Sequence, residues 1–473
     1  MRGRRRPRPR PRRLLRRPHG AGRHRGHRRP REGACGMTLR DTGSEARTDA
    51  GSDISSGTRH DISNDAGSGT RRDISSGTHR DTRYVQAGSE PHVQAGSEPR
   101  RRHGYVNPPV HRVSTVLYRD TAEMAASQAD PLKRTPPVYG RFGTPTGRAF
   151  ESALAELEGG HAAVATCSGL AAATTAVLSF VRAGDHLLVS DSVYMPTRRF
   201  CDSLTAFGVR VEYYDPVIGA GIEELLRPET RLVYLESPGS TTFEVQDVPA
   251  ITAACRPRGI TTVIDNTWAT PAFLRPLELG ADVVVHSATK YLTGHADSIL
   301  GAVVCSEETF PAVRGAAMRL GQCAGADDLY LGLRGLRTLG VRLRQHQQQA
   351  LDLAHWLRER DEVAEVIHPA LPEHPGHRVW QRDFDGASGL FGLVLRPDFG
   401  RTAVDAMIDS LRLFGLGHSW GGYESLLVPA DPLTHRLPGT WRDRGPLLRV
   451  HAGFEDLDDL EADLAAGFAV LRG

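Results

Sequence analysis

The chain has 473 residues, enough for two or three domains with a sizeable core, and a net charge of +3 that conceals a strong asymmetry. Residues 1–36 carry 15 arginines against one glutamate, whereas the rest of the chain has 44 basic and 55 acidic groups. No apolar run approaches the roughly 20 residues that span a bilayer, and Leu14-Leu15 is the longest in the basic leader, so neither a membrane helix nor a secretory signal core is expected.

Taken in order, residues 1–36 interleave arginine with proline and glycine and offer almost nothing to bury, which predicts a disordered extension. The same charges admit a nucleic-acid-binding arm or a targeting peptide. Missing aromatics and helix-breaking prolines oppose both, and Met37 offers a second start. Residues 37–83 hold irregular polar units, DISSGTRH from Asp53 and DISSGTHR from Asp73, each with a single isoleucine. Such units cannot stack a core, so this segment reads as a low-complexity linker. A short duplication, VQAGSEP from Val85 and again from Val93, follows. Globular texture begins near Tyr105, and residues 84–143 read as an N-terminal arm.

From residue 144 to 336 short apolar runs alternate with helical patterns: AAVATCS, HLLVSDS, RLVYLESP, TTVIDNTWA and DVVVHSATK. Runs of four to six apolar residues separated by helices predict an α/β domain whose mostly parallel sheet is buried on both faces. Ligands of such sheets sit at the carboxyl ends of the strands. Residues 337–473 open with a long polar helix and continue with runs such as GLFGLVLR and LLRVHAG, which predict a smaller α+β domain. Six cysteines (Cys35, Cys167, Cys201, Cys255, Cys305, Cys323) form no CxxC pair. That spacing predicts reduced thiols in a cytoplasmic setting rather than a disulfide frame.

Lysine stands only at Lys133 and Lys290, leaving 57 arginines. Arginine stays protonated near neutral pH, whereas a desolvated lysine amine can become a nucleophile. A lysine kept against this bias at the end of an apolar strand points to amine chemistry. Asp265 closes TTVIDN, where it can either pair with a protonated ring nitrogen or cap the following turn. Ser287 and Thr289 flank Lys290, and Ser168-Gly169 open a helix whose free amides suit a phosphate. Arg141, in a Gly/Pro-rich loop, can add a charge-assisted contact. Together these match the needs of pyridoxal phosphate: an imine-forming lysine, an acid for the pyridine nitrogen and an anion nest. A metal site fits poorly, because His286 and His295 lack companions at ligand spacing.

Eight blocks in order carry a resemblance: YGRFGTPT (139–146), ELEGG (156–160), LESPGS (235–240), IDNTWA (264–269), ATKYLTGH (288–295), RGLRTLGVRLRQH (334–346), SWGGYESL (419–426) and LLRVHAGFED (447–456). From about Tyr84 onward the chain resembles the Cys/Met-metabolism family of fold-type I pyridoxal-phosphate enzymes. Gly143-Thr144 before Pro145, Trp268 after Thr267, and Trp420 after Ser419 align it with the bacterial β-lyase branch. The resemblance implies a seven-stranded large domain and a carbon–sulfur lyase that eliminates at Cβ of cystathionine and related cysteine conjugates in methionine metabolism. A cystathionine γ-synthase or γ-lyase on the same scaffold is the alternative, and nucleic-acid binding through the leader is the reading from another class.

The same resemblance assigns the residues. It makes Lys290 the cofactor-bearing lysine, Asp265 the partner of the pyridine nitrogen, and Tyr194 the ring that stacks on the cofactor. Ser168, Gly169, Leu170, Ser287 and Thr289 would hold the phosphate. Tyr139 and Arg141 would reach the phosphate of a neighbouring subunit, in a dimer that pairs into a tetramer. Arg449, beside Ser419 and Trp420, would bind the substrate carboxylate. Met318 stands where the family leads one to expect an aromatic.

Overall fold

The computed structural model describes residues 80–86, 107–133, 138–432, 436–437, 441 and 444–473. The chain divides into two units, 1–70 and 71–473, and every described residue lies in the second. The expectations for residues 1–36, the second start at Met37, the duplication's second copy and most of the linker therefore fall outside the described residues. Residues 80–83, expected to end the linker, instead open the helix Arg80–Gln86. Tyr84 explains the difference: it is buried against the body, and Asp81 pairs with Arg344 at 2.7 Å, so this turn has a partner its own composition does not advertise.

Seven strands form the larger sheet: β1 (Ala162–Thr166), β2 (His186–Ser190), β3 (Arg210–Tyr214), β4 (Thr230–Glu236), β5 (Thr261–Asp265), β6 (Val283–His286) and β7 (Gly301–Cys305). Their order is β1-β7-β6-β5-β4-β2-β3, and only β7 runs against the rest. Burial on both faces follows from the apolar runs. Val233, Leu235, Ile264 and Val284 enter one core, and the alternating Leu232, Tyr234, Val263, Val283 and Val285 enter another. Every parallel strand thus delivers its carboxyl end to one edge.

A second sheet, all antiparallel, takes the order β10-β11-β9-β8 from β8 (Val363–Ile367), β9 (Leu390–Leu395), β10 (Leu426–Ala430) and β11 (Leu447–His451). The helices Leu339–Arg358, Arg401–Ser410 and Leu457–Arg472 bury one of its faces. On β11 the period of two sends Leu448 and Val450 into that core. The intervening residues, Arg449 and His451, take the opposite face. Among the described residues no helix is long and apolar enough to cross a membrane.

Candidate active site

Three neighbouring parallel strands end in charged or ionisable residues: β4 at Glu236, β5 at Asp265 and β6 at His286. In register, Glu236 stands beside Asp265. Lys290 lies just past β6 in a turn closed by its own N–H donating to the Ser287 carbonyl at 3.0 Å. The Lys290 amine donates to Ser419 Oγ at 2.5 Å and sits 5.3 Å from the centre of the Trp420 ring. Burial lowers its pKa to about 8, with the Arg449 cation pushing the same way and the Asp265 carboxylate opposing.

Asp265 caps the turn that follows β5. Its Oδ1 accepts the Thr267 N–H at 3.0 Å and the Thr267 hydroxyl at 2.5 Å, capping the turn, and its charge reaches Lys290. The Thr267 oxygen also accepts the Ser287 N–H at 2.8 Å, so one threonine ties the end of β5 to the lysine turn. Burial raises the Asp265 carboxyl, while the Thr267 hydrogen bonds and the nearby His286 and Lys290 hold it back. Glu236 is raised further, by burial first and then by Asp265 beside it. Its Oε2 accepts the Tyr194 N–H at 2.7 Å, which anchors the start of the helix Met195–Ser203.

Gly169 opens a 12-residue helix, Gly169–Phe180, whose first-turn amides lack intrahelical acceptors. Ser168 caps it by accepting the Ala171 N–H at 3.1 Å. Gly169 presses against the lysine turn so closely that a Cβ there would lie 2.4 Å from Ser287 Oγ. Thr289 is already engaged: its hydroxyl donates to the Leu300 carbonyl at 3.1 Å and accepts the Leu300 N–H at 2.9 Å. Leu170 is partly exposed at 39%.

Arg449 donates from Nη2 to the Ser419 carbonyl at 3.1 Å, and burial depresses its pKa. Tyr194, 46% exposed, lies within electrostatic reach of Glu236, Arg449 and Asp265, and burial raises its phenol. Lys290, Asp265, Tyr194, Ser287, Ser419, Trp420 and Arg449 therefore come together. Tyr139 and Arg141 do not join them within the chain. Arg141 donates to the Met318 carbonyl at 2.9 Å and stacks on Phe142, lining a cavity of about 320 Å³ with His111, Gly140, Arg314 and Met318. Tyr139 is 43% exposed beside it. Glu236 and Thr267 are the residues that sequence reasoning passed over. The signal for Thr267 was present, since a hydroxyl two positions after an Asp commonly closes an Asx turn. Glu236 becomes visible only once β4 and β5 are paired.

Residues 90–469 match the family described as Cys/Met metabolism PLP-dependent enzyme. The chain belongs to that family. Cystathionine beta-lyase MetC of Escherichia coli (strain K12) is 44% identical over 373 residues, covering 77% of this chain and 94% of the relative. A Rhizobium johnstonii relative, provisionally named a cystathionine beta-lyase, is 50% identical over 371 residues, covering 78% and 92%. The crystal structure of metB from Corynebacterium glutamicum superposes with a TM-score of 0.74 at 30% identity, covering 84% of this chain and 99% of that one.

Membership in this family makes pyridoxal 5'-phosphate the cofactor, and the residues present fit it. Gly169 leaves room that a side chain would fill, which brings the helix amides beside the Ser287 hydroxyl as a small anion requires. The other end of the site offers a buried lysine amine of lowered pKa and a carboxyl on the next strand.

Proposed function

We propose that this enzyme is a carbon–sulfur lyase that splits L-cystathionine, and related cysteine S-conjugates, by β-elimination to a thiol, pyruvate and ammonia. For cystathionine the thiol is homocysteine. The observation that carries the reading is the meeting of Lys290 and Asp265, at the carboxyl edge of the larger sheet, with Arg449 from β11 of the smaller one, in a chain 44% identical to a cystathionine beta-lyase.

Bound pyridoxal phosphate supplies an electron sink that acidifies the substrate Cα–H. Asp265 would face the cofactor's ring nitrogen with a carboxylate and so favour its protonated form. Lys290 holds the cofactor between turnovers and takes the Cα proton on Nζ, a task suited to an amine whose pKa is about 8. The Cβ–S bond then breaks, the thiolate leaves with its electron pair and takes up a proton, and water hydrolyses the released three-carbon imine to pyruvate and ammonia. Arg449 offers a planar fork to the substrate α-carboxylate, with Ser419 and Trp420 beside it. Tyr194 would cover the cofactor ring, and the Gly169 and Leu170 amides with Ser168, Ser287 and Thr289 would hold the phosphate.

Tyr139 and Arg141 reach the site of a second copy of the chain, which makes the working unit a dimer, two of which form a tetramer. Their separation from Lys290 within one chain supports this assignment. We place the enzyme in the cytoplasm and its substrate in methionine metabolism.

Lys290→Ala tests the assignment of the base. The variant is expected to fold, with an unchanged far-ultraviolet circular dichroism spectrum, and to lose turnover of L-cystathionine by more than about 10³-fold, the scale of a general base together with the anchoring it also provides. Retained activity in a folded variant would remove Lys290 from the reaction.

A further inference from the structure

His451 stands one strand period beyond Arg449 on β11 and is fully buried. Its Nε2 accepts the Gly421 N–H at 3.0 Å, and its Nδ1 faces the Glu424 carbonyl at 3.1 Å. An amide donor on Nε2 and a carbonyl acceptor on Nδ1 fix the neutral ring with its proton on Nδ1. Burial, with His346 alongside, holds the ring neutral far below the ordinary histidine range.

The loop gripped in this way has an unusual backbone. Ser419 takes φ +81°, a left-handed conformation rare for a residue with a side chain, and Gly421 takes φ +89°. Gly421 also rests directly on the lysine segment, since a Cβ there would lie 2.9 Å from the Tyr291 nitrogen and 3.0 Å from the Lys290 carbonyl carbon. Ser419, two residues earlier, makes both functional contacts of the loop. Its hydroxyl takes the Lys290 amine, and its carbonyl takes the Arg449 guanidinium. Left-handed backbone at a serine persists only where surrounding contacts over-determine it. The His451 bond to Gly421 is one such contact, made from the strand that also supplies Arg449.

We propose that His451 is a positioning residue: by accepting the Gly421 N–H it fixes the Ser419–Gly421 loop, and through Ser419 it sets Lys290 and Arg449 relative to each other. This deepens the lyase reading and rests on it for its kinetic consequence. The competing role is simple packing, because the ring also lies 5.1 Å from His346 and 6.0 Å from Tyr291 between centres.

Two substitutions separate these roles in the full-length holoenzyme. His451→Phe keeps an aromatic ring and removes the acceptor, whereas His451→Gln keeps an acceptor at the reach of Nε2 and removes the ring. Amide hydrogen exchange of the peptide spanning 419–424 reads the loop without reference to any substrate, and kcat/KM for L-cystathionine reads the site. The Phe variant is expected to exchange faster in that peptide and to lose about 10²-fold in kcat/KM, shared between a higher KM and a lower kcat, the cost of a misplacement near 1 Å. The Gln variant is expected to restore the protection and most of the activity. Wild-type exchange in the Phe variant overturns the proposal, as does equal impairment of both variants. If the wild type itself leaves L-cystathionine intact, the substrate reading fails, and the exchange comparison still decides whether His451 holds the loop.

Discussion

Lys290 keeps its amine near a pKa of 8 because it loses water while facing the Arg449 cation, and the Asp265 charge only partly compensates. A single lysine with this environment can serve as nucleophile and base at neutral pH, which no arginine at the same place could do. The bias toward arginine across the chain makes that residue legible from composition. Asp265 is equally legible as a strand-end carboxylate, and its cap of the following turn is visible in its contacts with Thr267. Thr267 and Glu236 are harder to see, because their importance comes from the register of β4, β5 and the lysine turn. Arg449 is legible only through its surrounding motif, being one among 57 arginines. Its planar fork predicts a specific failure on replacement. Arg449→Lys should raise KM for L-cystathionine by about tenfold or more, roughly the loss of one charge-assisted hydrogen bond, with a smaller effect on kcat. Steady-state kinetics checks this, and an unchanged KM would move carboxylate recognition elsewhere.

At the scale of elements, the parallel sheet follows from apolar runs too continuous for a sheet wetted on one face. Antiparallel β7 does not follow, because GAVVC reads the same in either direction and only its pairing with β1 and β6 settles it. The helix Arg80–Gln86 escapes a composition argument for a similar reason: its one buried aromatic, Tyr84, matters only against a partner distant in sequence. The helix Leu339–Arg358 and the segment that follows β8 bury histidines whose folded pKa values fall to about 4 for His346 and His374 and about 3 for His368, from an ordinary 6.5. Burial is the main cause in each. A base with a depressed folded pKa leaves stability intact above pH 6.5 and lowers it as the unfolded chain takes up protons below that point.

His368 isolates the effect, since its Nδ1 only accepts the Ala370 N–H at 3.1 Å. His368→Asn keeps an acceptor and cannot be protonated there. Denaturant unfolding at pH 7 and pH 5 should show the wild type losing up to about 2 kcal/mol more than the variant across that interval. Equal losses would mean that the folded protein protonates His368 freely.

For the molecule as a whole, the proposed dimer would have the arm of one chain and the body of its partner present different halves of one site. The motif around Tyr139 and Arg141 is easily read from sequence, but within a single chain Arg141 lines a cavity away from Lys290. Subunit sharing makes a quantitative prediction. Inactive Lys290→Ala and inactive Arg141→Ala chains, mixed and allowed to exchange, should regain about a quarter of wild-type activity, because half of the resulting dimers are mixed and each of those holds one intact site. Recovery near zero, with mixed dimers demonstrated, would show that each chain completes its own site.

Which bond breaks, at Cβ or at Cγ, decides the chemistry. Purified protein is supplied with pyridoxal phosphate and L-cystathionine, and the keto acid is identified by mass or by a coupled dehydrogenase. Elimination at Cβ predicts pyruvate, with homocysteine in equal amount and a borohydride-sensitive visible band attached to the peptide that contains Lys290. Appearance of 2-oxobutyrate in place of pyruvate would contradict it and move the reaction to Cγ on an otherwise unchanged site.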